Sequence, residues 1–432
     1  MWDLKIDTRR LVEGFSTSVL WERPNILWNK ADDWWNDNYV TDPSTAAFLS
    51  ATGIIDPNKQ NYVNNLVIAL KNQGLWNKMK AVYPFVSEQR NLLNNTDTFS
   101  GWLLEGGTLT GGFTDPQGGT TAYKYTNPGT QGLWANQGFT LAATTYTQSI
   151  WVKSVSGTNT TFELSSGNGP IGKITLTATS TWQRVSNTTF LDIGGSMYIF
   201  NISNPAGIYV WHPQMELGNL TDYQVTINAQ EQFAAAYKYN LKDPQDTDAA
   251  FRLKIFGSWT FTPTGAKPNG TNAYMDTTLI PSTSLSQNST SGSYYIGSNY
   301  ISGQDIICTG AGSSFLGSYN TSFMEVAVND GFAAAVTPTV KSGLFTFSRI
   351  NATQSKLYAN NLQTFTNTLA SAAPNIYSVK IACLNQAGVN SRYATNSIRF
   401  VHLGDGLTDA EAATLYTIVQ QFQTSMGRQI NP

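Results

Sequence analysis

Charged side chains are scarce in this sequence. Asp, Glu, Lys and Arg make up 12% of its 432 residues, about half the share found in an average soluble protein. The formal net charge is -2, and no run of Lys or Arg supplies the basic groove that nucleic-acid binding requires. We therefore expect no nucleic-acid partner. A chain of this length is expected to form two or three domains.

Cysteine is equally rare, with only Cys308 and Cys383 present. They can form one disulfide at most, which excludes a disulfide scaffold, and the simpler expectation is two buried free thiols. The first residues lack the basic-then-apolar pattern of a secretory signal. No apolar run reaches the roughly 18 residues that a membrane span requires, so we expect no membrane span.

Asn, Thr, Ser and Gly take the place of the missing charges. A polar but uncharged surface is typical of extracellular β-proteins and of virion components. It fits a cytosolic enzyme poorly, because such an enzyme stays soluble largely through its charge. Release by cell lysis would bring such a protein outside the cell without a signal sequence.

Tryptophan is concentrated at the start of the chain. Residues 1–41 show no clear helical or strand period, yet they contain five of the 12 tryptophans: Trp2, Trp21, Trp28, Trp34 and Trp35. Aromatic clusters of this kind are usually buried against another surface. Two alternatives stay open: the tryptophans pack on the later domains of the chain, or they anchor it in a partner protein. The second alternative is our prediction for this segment.

Residues 42–88 have a helical character. Asp56 is a good N-cap and Pro57 suits the first helical position. Apolar residues then recur at helical spacing until Gly74: Val63, Leu66, Val67 and Leu70. A single apolar stripe on a helix must lie on another surface.

Residues 89–231 and 232–432 both show short β-branched and aromatic runs separated by turn residues, a pattern typical of β-sandwiches and jelly rolls. In the second segment, "LYANNLQTF" predicts a hairpin with its turn at Asn360 and Asn361. The chain closes with an amphipathic helix that begins at a capping box of Thr408 and Glu411. The predicted fold class is therefore mostly β: two β-sandwich (jelly-roll or concanavalin-like) domains, a short helical N-terminal segment and one C-terminal amphipathic helix.

Three stretches of the second β segment carry a resemblance to a known family: "GSWTFTPTGAKPNGTNAYMDT", "KLYANNLQTFT" and "IRFVHLGDGLTDAEAATLYTIVQQF". Over residues 236–430 the chain resembles a concanavalin-like, laminin-G-type lectin domain. In detail it is most similar to virion proteins of tailed bacteriophages, in which this ending closes fibre or capsid-surface proteins.

The first β segment resembles a different module. "RNLLNNTDTFSGWLLEGG", "YTQSIWVKSVSG" and "GIYVWHPQMELGNLTDYQVT" are similar to the carbohydrate-binding-type jelly roll of phage tail and fibre proteins, most specifically over residues 211–218. In the phage proteins that this chain resembles, segments like 75–86 and 238–257 are nearly continuous. The resemblance therefore implies that the jelly roll is an insertion and that residues 42–88 pack with the C-terminal domain.

The sequence contains few residue patterns that are typical of catalytic sites. No G-x-S-x-G, H-E-x-x-H or P-loop pattern occurs, and no strand carries the alternating acidic residues of glycosidases with concanavalin-like folds. We expect a protein that is not an enzyme and has no cofactor. Asp243, Asp246 and Asp248 belong to a predicted loop, where they would serve as turn residues; the alternative is a Ca²⁺ site.

Sugar binding would need exposed aromatic platforms. The candidates are Trp102, Trp134, Tyr209 and Trp211 in the jelly roll and Trp259, Tyr274 and Tyr300 in the lectin-like part. Each has a competing role in the core, because large aromatic side chains dominate sandwich cores.

The expected function is that of a structural virion protein of a tailed phage, a capsid-surface or tail fibre located on the particle. Its N-terminus would bind other virion proteins, and its modules would bind host-surface polysaccharide, gaining avidity from many copies in a homo-oligomer. Two alternatives are a polysaccharide depolymerase and a purely structural decoration protein that binds no sugar.

Overall fold

The computed structural model of the chain describes residues 41–126, 132–135, 143–166, 172–191, 196–226, 228–301, 303–310, 314–320, 323–330 and 340–430. The five N-terminal tryptophans and the predicted anchor lie outside these residues. The described chain begins with two helices, a 3-10 turn and a strand: α1 (Pro43–Thr52), α2 (Pro57–Asn72), the turn Leu75–Lys78 and β1 (Met79–Tyr83).

The next ten strands build a first sandwich. They are β2 (Leu103–Leu104), β3 (Thr108–Phe113), β4 (Ala122–Thr126), β5 (Leu133–Trp134), β6 (Thr144–Ser154), β7 (Thr160–Ser165), β8 (Ile174–Ala178), β9 (Gln183–Leu191), β10 (Tyr198–Phe200) and β11 (Ile208–Leu217). They form two five-stranded antiparallel sheets, which we name sheet I (β2-β5-β10-β7-β8) and sheet II (β3-β4-β11-β6-β9). The side chains between the two sheets form one apolar core.

The rest of the chain builds a second sandwich. Its helices are α3 (Ala229–Tyr237), α4 (Pro281–Ser284) and α5 (Asp409–Ser425), with a 3-10 turn at Asp248–Ala250. Its strands are β12 (Lys254–Phe256), β13 (Trp259–Thr262), β14 (Gly265–Pro268), β15 (Tyr274–Asp276), β16 (Thr290–Ile296), β17 (Gln304–Thr309), β18 (Ser314–Asn320), β19 (Phe323–Asp330), β20 (Gly343–Arg349), β21 (Ser355–Ala359), β22 (Leu362–Asn367), β23 (Lys380–Ile381), β24 (Leu384–Gln386), β25 (Val389–Ser391) and β26 (Ile398–Gly404).

These strands form a larger pair of sheets. Sheet III runs β13-β14-β26-β16-β20-β21-β22, with β1 also paired to β26, and sheet IV runs β12-β15-β23-β17-β18-β19. β24 and β25 form a separate hairpin. The main core lies between the two large sheets. The fold class predicted from the sequence, mostly β with two sandwiches, is confirmed.

The central strands of sheet III are buried on both faces. Along β16, Tyr294 and Ile296 point into the core between the sheets, whereas Tyr295 points into a second core under the helices. Helices α2 and α5 contribute their apolar stripes to this second core, and the two helices contact each other. The central strands are therefore rich in apolar and small residues on both faces, which hides the alternation usual in a half-exposed strand.

Strand β1 belongs to sheet III although it precedes the first sandwich. Val82 lies opposite His402 of β26, and the Leu241 amide donates to the Val82 carbonyl oxygen at 2.8 Å. The chain thus leaves the second sandwich after β1, builds the first sandwich and returns at α3. The Gln232 side-chain oxygen accepts from the Arg90 and Asn91 amides at 3.1 and 3.2 Å, which ties the outgoing segment to the returning one.

Local signals placed several elements correctly. Asp56 caps α2, which runs from Pro57 to Asn72 as the spacing predicts. Thr408 and Glu411 form the predicted capping box of α5. Asn360 has a φ of +54° in the predicted hairpin turn between β21 and β22. Three helices were not individually predicted: α1, α3 and α4.

Cys308 and Cys383 are both free and buried, as the simpler expectation had it. Burial raises the pKa of the Cys383 thiol to about 12, so it is protonated at neutral pH. Among the described helices, none is long and apolar enough to cross a bilayer.

Candidate functional site

The outer face of sheet I carries a row of aromatic side chains. Leu133 and Ile199 point into the core of the first sandwich, so alternation turns Trp134, Tyr198 and Phe200 outward. Trp134 lies directly opposite Tyr198 on the neighbouring strand. Their ring centroids are 5.2 Å apart and their planes differ by 12°. The two half-buried rings form a stacked pair at the surface of the sheet.

Polar groups adjoin these rings. Glu163 lies opposite Phe200 in the sheet, and its Oε2 is 2.8 Å from the Lys173 Nζ. The Asn201 side-chain amide also donates to Glu163. Lys173 Nζ lies 5.4 Å from the centroid of the Phe200 ring, within the range of a cation–π contact. Glu163 is thus held in one orientation by a cation and an amide.

The Tyr198 hydroxyl remains protonated at neutral pH. Burial and the negative charge of Glu105 raise its pKa above the ordinary tyrosine value. Stacked aromatic faces together with a small number of fixed polar groups are what small-ligand sites commonly present. We name the group formed by Trp134, Tyr198, Phe200, Glu163 and Lys173 the sheet I site.

Of the other jelly-roll candidates, Trp102 belongs to the edge of the core. Its indole Nε1 donates to the Asn94 carbonyl oxygen at 2.9 Å, and its ring packs edge-on against Phe99 at 4.9 Å. Trp211 is only 4% exposed, and its Nε1 donates to the Thr121 hydroxyl at 2.8 Å. Trp211 therefore provides no exposed platform, because a loop covers it.

Tyr209 lies on the outer face of sheet II, away from the sheet I site. Its neighbours Ile208 and Val210 are fully buried in the core, so the Tyr209 ring is turned outward and is half-buried. The structure thus places Trp134 and Tyr209 on different sheets, which the sequence alone did not indicate.

The candidates of the second sandwich lie in three different settings. Tyr300 is 6% exposed and packs edge-on against Phe345 at 5.0 Å, so it is a core residue. Trp259 lies on sheet III, stacked on Phe261 at 5.8 Å. Tyr274 lies on sheet IV, with Lys380 Nζ 5.5 Å from its ring centroid.

The acidic loop of the second sandwich is an ion-pair cluster. Asp246 pairs with Lys238 and Arg252 at 2.6 and 2.7 Å, and Asp248 pairs with Lys254 at 2.6 Å. Hydrogen bonds from these cations lower the pKa of both carboxyls.

Asp243 accepts from the Gln245 side-chain amide at 3.1 Å. In the part of the chain that the structure describes, no three His, Cys, Asp or Glu side chains are grouped to hold a metal ion. Lysine and arginine side chains pair with two of the three carboxylates, which favours the role of these aspartates as turn residues over Ca²⁺ ligation.

The sequence-based candidates included Trp134 but omitted Tyr198, Phe200 and Glu163. A signal was present, because "MYIFNIS" places Tyr198 and Phe200 two residues apart on one face of a strand. The pairing of this strand with Trp134 was not visible, since it joins residues about sixty positions apart.

No family model matches the chain, and no curated protein sequence matches it. Among solved structures, the chain is similar to the CBM22-1–GH10 modules of the Clostridium thermocellum endo-1,4-β-D-xylanase 10B complexed with xylohexaose. This similarity has 16% identity and a TM-score of 0.25, and it covers 31% of this chain and 29% of that one.

Two further structural neighbours are a second carbohydrate-binding module and a phage tailspike domain. The carbohydrate-binding module of Cellvibrio mixtus lichenase 5A in complex with cellotriose has 19% identity and a TM-score of 0.20, covering 33% of this chain and 99% of that one. The enzymatically active domain of bacteriophage CBA120 tailspike protein 4 has 16% identity and a TM-score of 0.23, covering 31% of this chain and 22% of that one. The chain is thus similar to carbohydrate-binding modules and to a phage tailspike domain.

Proposed function

We propose that this protein is a glycan-binding structural component of a tailed-phage particle, a capsid-surface or tail fibre, and that the sheet I site binds the glycan. The observation that carries the binding function is the Trp134–Tyr198 stack beside the fixed Glu163 carboxylate. A sugar ring has an apolar face that can lie on an aromatic ring and hydroxyls that can bond to a carboxylate or amide.

The virion role rests on the sequence resemblance of both sandwiches to phage fibre and capsid-surface proteins. On this proposal, the tryptophans of residues 1–41 bind another virion protein and the sandwiches face the host cell. Several copies on one particle, as a homo-oligomer or an array, would raise a weak single-site affinity to useful avidity.

A glycan array followed by affinity electrophoresis tests the binding function. We expect the full chain to bind one or more bacterial surface polysaccharides, and Trp134→Ala to weaken that binding by about tenfold or more, because a stacking face is lost. Phe190→Ala is the matched control, since Phe190 is an aromatic residue that is 59% exposed on sheet II. Equal loss in both variants, or none in either, contradicts the proposal.

The two alternatives have distinct outcomes. A depolymerase would release new reducing ends from the bound polysaccharide over time, and we expect no such release. A purely structural decoration protein would bind no polysaccharide on the array. Virion location is tested separately, by detecting the protein in purified particles with an antibody.

A further inference from the structure

The outer face of sheet II presents a second ordered group of aromatic and basic residues. The sheet register places Lys124 of β4 and Lys153 of β6 directly opposite Tyr209 of β11, one on each side. Directly opposed residues share one face of a sheet, with Cβ atoms about 5 Å apart. An aromatic ring is thus flanked by two ammonium groups across three adjacent strands.

Other aromatic side chains enlarge this surface. The Phe113 ring centroid lies 5.1 Å from that of Tyr209, and the Trp182 centroid lies 6.2 Å from it. Trp151 lies on β6, two residues before Lys153, and its ring centroid is 6.3 Å from that of Trp211. The rings of Phe113, Trp151, Trp182 and Tyr209 are each half-buried, so each has an accessible part.

Two lysines supply positive charge to this surface. Within the described residues, neither Lys124 nor Lys153 forms an ion pair. Arg184 lies opposite Trp151, but its guanidinium donates to the Thr221 carbonyl oxygen at 2.6 Å and is therefore already engaged. The two lysines supply uncompensated charge in a chain whose net charge is -2.

One end of the same face is closed. Thr221 bonds to Glu216 and to Arg184 there, and Tyr223 stacks on His212 with centroids 3.7 Å apart. These contacts lie at the far half of sheet II, whereas Tyr209 at the other half is half-buried and keeps an accessible part. The accessible half is therefore bounded on one side by the segment that contains Thr221 and Tyr223.

We propose that this half of sheet II, which we name the sheet II site, binds a carboxylate-bearing polysaccharide. A sugar ring lies on Tyr209, and its carboxylate reaches Lys124 or Lys153. The two lysines stand two strand spacings apart, about 9–10 Å, so an extended acidic chain can meet both. Nucleic acid fits less well, because its affinity depends on many phosphate contacts, and among the described residues this site offers two lysines without an ion pair.

The site is independent of the sheet I site, since the two lie on opposite faces of the first sandwich. The sheet II site should select its ligand by charge, so an acidic polymer should bind and its neutral counterpart should not. Attraction between exposed charges is also weakened by salt, so this binding should fall as the ionic strength rises.

The test measures retention of the full chain by polygalacturonate, alginate and hyaluronate, each beside its methyl-esterified form. We expect at least one acidic polymer to bind about tenfold or more tightly than its ester, since two ion pairs are lost on esterification. Lys124→Ala/Lys153→Ala should abolish this preference. Tyr209→Ala should weaken binding of the acidic polymer.

A matched control makes the result decisive. Lys267→Ala removes an exposed lysine of the second sandwich that has no ion pair among the described residues. This variant should leave the acidic preference unchanged. Equal binding of acid and ester by the wild type, or a preference that survives the double lysine variant, overturns the sheet II proposal without affecting the proposed function at sheet I.

Discussion

The Trp134 and Tyr198 rings lie directly opposite each other on β5 and β10, with centroids 5.2 Å apart and planes within 12° of parallel. A cross-strand aromatic pair of this geometry contributes about 0.5–1.5 kcal/mol beyond the area it buries. The pair therefore presents a platform whose two rings fix each other before any ligand arrives.

The first prediction is that the two rings are energetically coupled. In a double-mutant cycle of Trp134→Ala and Tyr198→Ala, we expect a coupling of about 0.5–1.5 kcal/mol in the free energy of unfolding. Urea denaturation of the four proteins measures it. Strictly additive effects would show that the rings are neighbours without mutual stabilisation.

The second prediction concerns the capping box of α5. The Thr408 hydroxyl accepts from the Glu411 amide at 3.3 Å, and the Thr408 amide donates to Glu411 Oε2 at 2.8 Å. We expect Thr408→Ala to lower the free energy of unfolding by about 0.5–2 kcal/mol. Thr417→Ala is the matched control on the exposed side of the same helix, and it should be neutral or slightly stabilising because alanine is the better helix former. Equal effects would rule out a specific contribution of the cap.

Capping signals were readable in the sequence because they are local. Asp56 and Pro57 stand next to each other at the start of α2, and an apolar stripe follows them. Helix α1 begins in the same way, with Asp42 as its cap and Pro43 at its first position, but its buried residues are only Thr45 and Phe48. Without a stripe, the sequence pattern gave no reason to expect that helix.

Long-range pairing limited the prediction of the sites. Residue type alone identified Trp134 and Tyr209 as candidates, and alternation shows that each points outward. Neither property indicates that Tyr198 lies opposite Trp134 or that two lysines flank Tyr209, because those relationships depend on the sheet register. Register is set by the whole buried pattern of each strand. The composition of each site therefore became visible only in the assembled sheet.

The third prediction concerns the buried Arg428, which follows α5. Its guanidinium donates to the carbonyl oxygens of Pro84 and Phe85 at 2.6 and 2.7 Å and to the Gln423 side chain at 2.6 Å. Burial lowers its pKa to about 10, so it is still charged at neutral pH. The end of the chain is thereby fixed to the segment that leaves β1.

We expect Arg428→Met to lower the free energy of unfolding by about 3 kcal/mol or more, because the buried acceptors lose their donors. The neighbouring substitution Gln429→Ala is the control and should change stability by about 0.5 kcal/mol or less, since Gln429 is exposed. Denaturant unfolding measures both. A loss of under about 1 kcal/mol in Arg428→Met would mean that other groups or water satisfy these carbonyls.

The fourth prediction is a loss of stability in acid that is caused by His402. This side chain is fully buried in sheet III, and its Nδ1 lies 3.3 Å from the Ser293 hydroxyl. Its Nε2 is buried without a hydrogen-bond partner among the described residues. Burial lowers the pKa of His402 to about 3, whereas the unfolded chain takes up the same proton near pH 6.5.

A histidine with a depressed folded-state pKa favours the folded protein fully above the unfolded pKa and loses that contribution as the pH falls. Between about pH 6.5 and pH 3, His402 should reduce the free energy of unfolding by about 1.4 kcal/mol per pH unit, or about 2 kcal/mol at pH 5. His402→Gln removes this proton uptake, so the variant should lose less stability between pH 7 and pH 5 than the wild type.

His212 of the first sandwich, whose pKa burial lowers to about 4, titrates in both proteins and cancels in the comparison. Parallel stability curves for the two proteins would show that His402 accepts a proton in the folded state, which its burial in the sheet argues against.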